Sequence, residues 1–187
     1  CVASRGGDAV WGGLMEVAIA AITEEVRVGG SEAEAAGQSK LIMLCNDVSV
    51  SGRFPAELAK GFGFFQSKPR SAFSTVAVTP EELGAAWTDN LVHHPLRVDY
   101  NGAPFGRAEA AEDATFSLAR LVSHAAQTRP LTAGTVIGSG TVSNKGEDGG
   151  PGNTDAEGGR GSSCIADSRR MEKSAGEDVK NAVKEHC

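Results

Sequence analysis

The sequence predicts an α+β domain that is mostly β, with a few short helices outside the strands. Three observations carry this prediction. The 24 glycines in 187 residues supply tight bends that side chains would resist. Apolar runs such as Leu41–Cys45 are short and end at polar residues, as strands do. Helical periodicity is clear over only one stretch, residues 116–128. A chain of this length suits one domain and buries on the order of 70 % of its unfolded surface, and an apolar content of 40 % lies within the globular range.

Residues 1–13 are glycine-rich without periodicity and read as a flexible N-terminal segment. Leu14–Ile22 (LMEVAIAAI) is an apolar strand or helix interrupted by Glu16, whose plainest role is to face solvent. Ser31 and Glu34 are spaced as a capping box for a short helix over 31–39. Leu41–Cys45 then reads as a buried strand ending at Asn46-Asp47, which fixes the Asp47 carboxylate at a strand terminus. Pro55–Lys60 predicts a helical turn, and Phe62–Pro69 (FGFFQSKP) sets Lys68 beside aromatic rings that can cover its stem.

Alternation predicts a strand over Ala72–Val78, and Thr79-Pro80 followed by Glu81 and Glu82 starts a short helix. Leu91–Tyr100 is a further strand, turning at Asn101-Gly102 into 103–106. His93 and His94 point to opposite faces of that strand and read as surface or packing residues. Leu118, Leu121, Val122 and Ala125 form the apolar stripe of the helix over 116–128, with His124 beside it as hydrogen-bonded filler. Ala133–Asn144 is β-prone. Its Gly138-Ser139-Gly140-Thr141 can hold an anion or make a tight bend. Residues 146–163 form a Gly-rich loop within the domain assigned to 14–166, and 167–187 form a charged tail with a marginal amphipathic helix.

A net charge of −6 with no basic run argues against nucleic acid. No stretch of about 20 apolar residues is present to span a membrane. The four cysteines, Cys1, Cys45, Cys164 and Cys187, lack metal-site spacing, so Cys45 and Cys164 read as buried free thiols in a reducing cytoplasmic setting. The chain starts at Cys1 without an initiator methionine, as a fragment or processed product does.

Asn46-Asp47-Val48-Ser49, PAELAKGFGFFQSKP, SAFSTVAVTPEELGAAW, GTVIGSGTVSNK and Ser162–Ala166 follow one another in an order that resembles the fumarylacetoacetate hydrolase superfamily, over roughly Met15 to Ala166. The resemblance implies a mixed β-roll coiled around a central site. It also implies a homodimer, and an enzyme that binds Mg²⁺, or Mn²⁺ or Ca²⁺, and a small oxo-acid substrate. Hydrolysis of a C–C bond in a β-diketo acid such as fumarylacetoacetate or an acylpyruvate is the implied reaction, with aromatic amino acid catabolism as its setting. Carried over residue by residue, Glu16 and Asp47 are metal ligands and Lys68 is the catalytic cation. Gln66, Lys68, Gly140 and Thr141 are substrate contacts.

Three features of the family pattern are not found. Ala18 stands where the second carboxylate of a Glu-x-Glu pair is expected, and Ser51 stands where an Arg is usual. No His and Glu pair for activating water is found. Arg53 would face away from Ser51 on an extended backbone. Mg²⁺ often needs only one or two carboxylates. The departures also motivate an alternative, a non-catalytic truncated member acting as a scaffold or dimerisation subunit.

Overall fold

The computed structural model describes residues 13–61, 63–147, 159–160 and 163–164. The expectations for residues 1–12, for most of the Gly-rich loop and for the tail lie outside the described residues. Strand β1 (Gly13–Leu14) leads through Glu16 into β2 (Val17–Thr23). Helix α1 (Glu32–Ala35) starts at the predicted capping box: the Ser31 hydroxyl accepts from Glu34 N–H, and the Glu34 carboxylate accepts from Ser31 N–H at 2.8 Å. Strands β3 (Ser39–Asn46) and β4 (Ser49–Val50) follow, then a 3₁₀ turn at Ser51–Arg53 and helix α2 (Phe54–Leu58). Next come β5 (Ala72–Phe73), α3 (Pro80–Leu83), β6 (Trp87–Thr88), β7 (Leu91–Val92), β8 (Pro95–Tyr100) and β9 (Ala103–Glu109). Helix α4 (Leu118–Ala125) and β10 (Val136–Gly138) complete the described elements.

The main sheet has the antiparallel order β10-β2-β3-β5. Strand β2 is central, which explains its small, apolar sequence: Ala18, Ile19, Ala20 and Ala21 are all buried. Ile19 and Ala21 join Ile42, Val92, Leu96, Ala108, Leu118 and Val142 in one core. A second core gathers Val26, Ala35, Val122, Ala126 and Leu131, where α4 packs near α1. Separate two-stranded pairings join β1 to β4, β6 to β7, and β8 to β9. The Asn101-Gly102 turn closes the last of these, both residues having positive φ, 51° and 83°.

Several sequence expectations need correction. The run over 41–45 is part of a longer strand and is not buried throughout, since Leu44 is 42 % exposed while Ile42 and Cys45 are buried. The strand expected over Ala72–Val78 ends at Phe73. Beyond it, Ser74 bonds back to Leu44 and Val78 bridges only to Ile42, so the segment leaves and rejoins the edge of β3. The strand expected over Leu91–Tyr100 is split at His93-His94, where His93 N–H turns to Ala86 O at 2.7 Å. His124 lies on the exposed side of α4 rather than as filler. Arg53 sits in a 3₁₀ turn, so strand alternation does not set its direction.

Candidate functional site

The end of β2 and β3 brings together three charged groups from distant parts of the chain. Lys68 Nζ donates to Glu16 Oε2 at 2.9 Å and to Asp47 Oδ2 at 2.9 Å. One ammonium therefore bridges two carboxylates. All three side chains are partly covered, 25 % exposed for Lys68, 19 % for Glu16 and 42 % for Asp47.

Asp47 is supported through its carboxylate and Glu16 through its backbone. The Asn46 side-chain carbonyl accepts from Glu16 N–H at 3.1 Å, and Asp47 N–H donates to Glu16 O at 2.8 Å, so the polar pair ending β3 pins Glu16 to it. Across its other edge Glu16 bridges to Cys164. The Ser71 hydroxyl donates to Asp47 Oδ1 at 3.0 Å, leaving Oδ2 for the ammonium. Ala18, two residues from Glu16, is 2 % exposed and contributes no oxygen.

Lys68 is delivered by a turn that Glu57 holds. The Glu57 carboxylate accepts from the backbone N–H groups of Phe65 (2.9 Å), Gln66 (2.5 Å) and Ser67 (3.2 Å), and from the Ser67 hydroxyl (2.5 Å). The Ser67 hydroxyl and then these amides pull the Glu57 carboxyl down to about 2. Ser67 is fully buried, and its carbonyl accepts from Val50 N–H at 2.8 Å, tying the turn to β4. Lys68 Nζ also lies 5.9 Å from the Phe64 ring centroid, as expected of a cation beside aromatic residues.

Burial acts to lower the Lys68 pKa, but its bonds to Asp47 and Glu16 outweigh burial and raise it, keeping the ammonium charged. Burial, then the Asp47 charge, pushes the neighbouring Cys45 thiol up. Cys45 and Cys164 are both buried, and Cys45 is a free thiol.

Gln66 has an exposed side chain and a backbone fixed by Glu57. Gly140 adopts φ 78°, which favours glycine, and is exposed. Thr141 is exposed and lines a cavity of about 350 Å³ with Ile19, Val92, Leu118, Ser139 and Ser143. Glu16, Asp47 and Lys68 are not in that lining. Residues 139–142 run along the opposite edge of β2 from Asp47, with Ser139 N–H on Ile19 O at 2.7 Å and Val142 N–H on Val17 O at 3.2 Å. Ser51 lies in the 3₁₀ turn after β4.

Sequence reasoning missed Glu57, Ser71 and Asn46. Glu57 carried no local signal, because its partners lie eight to ten residues onward in a turn. For Asn46, its place between a strand and Asp47 was the available cue.

The two oxygens facing Lys68 are hard, anionic and converge on one atom. This donor pair fits a hard divalent cation that keeps much of its water. Among the described residues, no group of three or more His, Cys, Asp or Glu side chains is placed to hold a metal. No described helix is long and apolar enough to cross a membrane.

Residues 6–175 match the family model described as fumarylacetoacetate (FAA) hydrolase C-terminal. No curated protein matches the chain significantly. Among solved structures, a candidate fumarylacetoacetate hydrolase family protein from Yersinia pestis CO92 shares the fold at TM-score 0.59 and 17 % identity, over 72 % of this chain and 65 % of that one. A candidate fumarylpyruvate hydrolase from Burkholderia cenocepacia matches at TM-score 0.59 and 15 % identity, over 71 % and 56 %. The 5-carboxymethyl-2-hydroxymuconate delta-isomerase of Mycobacterium smegmatis matches at 0.50 and 21 %, over 74 % and 50 %. The chain thus spans between half and two thirds of the length of these structures.

Proposed function

Because the chain belongs to the fumarylacetoacetate hydrolase family, we propose that it is a metal-dependent hydrolase cleaving a C–C bond in a β-diketo acid such as fumarylacetoacetate or an acylpyruvate. The family is of hydrolase and isomerase type, as the assignments of the structural neighbours indicate. The observation that carries the finer reading is the convergence of Glu16 and Asp47 on one cationic point. It gives the chain a fixed pair of hard donors beside a lysine, a set that suits the chemistry of an oxo acid.

Hydrolysis of such a substrate adds the hydroxyl of water to the acyl carbon and a proton to the adjacent carbon as the bond between them breaks. Negative charge then develops on the oxygen conjugated with that adjacent carbon. Glu16 and Asp47 hold the divalent cation, Mg²⁺ or Mn²⁺ or Ca²⁺, which supplies positive charge against the developing anion. Lys68, kept protonated, neutralises a substrate carboxylate or the same developing charge. Gln66 at the clamped turn and Gly140 with Thr141 along the β2 edge contact the remaining substrate oxygens. Asn46, Ser71 and Glu57 act through the others by holding Glu16, Asp47 and Lys68 in position. The working unit is a homodimer.

Turnover of an acylpyruvate, followed by loss of its enol absorbance with Mn²⁺ present, tests the reading. The expected result is metal-dependent cleavage that a chelator stops. Decay equal to buffer would instead support the non-catalytic scaffold, a reading that the buried methyl of Ala18 in place of a third carboxylate favours.

A further inference from the structure

Resting on the reading of Glu16 and Asp47 as cation ligands, we propose that Lys68 is a built-in competitor for that cation. The ammonium and the metal are alternative occupants of one carboxylate pair, and loading the metal releases Lys68 towards the substrate.

The same two oxygens that converge for a metal are the ones Lys68 uses, Glu16 Oε2 and Asp47 Oδ2, each at 2.9 Å. A hard cation binding both oxygens needs the place that Nζ holds. Charge points the same way. Two carboxylates carry −2, which a divalent cation alone balances, and an ammonium kept at the same oxygens faces that cation at short range. Ala18, two residues on from Glu16, adds no third anion to offset the repulsion.

The rest of the site is built for this exchange. The frame does not depend on Lys68: Asp47 Oδ1 is bonded to the Ser71 hydroxyl, and the Glu16 backbone is pinned by Asn46 and Asp47. The Lys68 backbone follows a turn that Glu57 clamps, so the exchange needs only the flexible four-carbon stem to swing. An alternative resting place is at hand, because Nζ already lies 5.9 Å from the Phe64 ring centroid and that ring is 49 % exposed. Lys68 in this account is a gate on metal loading as well as a substrate-binding cation.

Calorimetric titration with Mn²⁺ of the wild-type chain and of Lys68→Met tests the competition. Removing the ammonium is expected to tighten Mn²⁺ binding about tenfold, the scale of a modest coupling between two ligands. In parallel, acetic anhydride labelling of the wild-type chain, read on the Lys68 peptide by mass spectrometry, is expected to speed up several-fold when Mn²⁺ is bound, because the amine leaves its partners. This second readout stands even if Lys68→Met does not fold. Equal Mn²⁺ affinity in the two chains, with labelling of Lys68 unchanged by bound Mn²⁺, would overturn the competition and leave the metal-site reading standing. No Mn²⁺ binding by either chain at millimolar metal would overturn both.

Discussion

Asp47 holds Lys68 on one carboxylate oxygen and Ser71 on the other. Asp47→Asn keeps the shape but removes the charge that holds Lys68 and that the proposed metal would use, so kcat on an acylpyruvate is expected to fall about 100-fold, the scale of losing one charged stabiliser. Steady-state kinetics of the folded variant checks this, and near wild-type kcat would contradict it. Glu57 gives a prediction about acid stability. Its folded pKa of about 2 lies below the ordinary 4.5, so its contribution is present above pH 4.5 and is lost as pH falls from there towards 2. Glu57→Gln cannot make the charged contacts at any pH. The gap in denaturation midpoint between wild type and Glu57→Gln should therefore narrow as the buffer is taken from pH 6 to pH 3, and a constant gap would refute the assignment. Cys45, whose thiol burial pushes up, should resist alkylation in the native chain and react on unfolding.

At the scale of elements, helix α4 joins the two cores, with Leu118 in one and Val122 in the other. Val122 is fully buried, and Val122→Ala should cost about 2 kcal/mol of unfolding free energy, measurable by urea denaturation. Elements written in local chemistry were legible in the sequence. The Ser31/Glu34 box, the Thr79-Pro80 start of α3 and the Asn101-Gly102 hairpin each appear where those residues predict them, because a few neighbouring atoms decide the backbone. Strand continuity was not legible, because it depends on distant partners. Alternation continues past Phe73, yet the available edge of β3 accepts only Ala72 and Phe73 before Ser74 turns away to cap Leu44. Likewise His93-His94 look like mid-strand residues, but the chain there passes from the β6 pairing to the β9 pairing. Glu16, Asp47 and Lys68 were singled out by their motif setting, and the fold brings the three together. Their positioning partners were not, since Glu57 and Ser71 reach across turns that periodicity does not encode.

For the whole molecule, the described fold arranges a small-residue central strand so that charged ends of two strands and one clamped turn meet at its margin. Family membership makes a homodimer the expected assembly, and sedimentation velocity should give about twice the chain mass; a monomer at micromolar concentration would contradict that expectation. The chain covers half to two thirds of the length of its structural neighbours, and the proposed catalysis draws on the part it shares with them. It rests on two carboxylates, Glu16 and Asp47, acting as one cation site without a third at Ala18. The most direct test is Mn²⁺ binding by calorimetry to the wild-type chain and to Asp47→Asn. One Mn²⁺ bound per wild-type chain, with binding abolished by the substitution, is the predicted result. Equal binding by the two chains, or none by the wild type at millimolar metal, would contradict a metal centre built on Glu16 and Asp47.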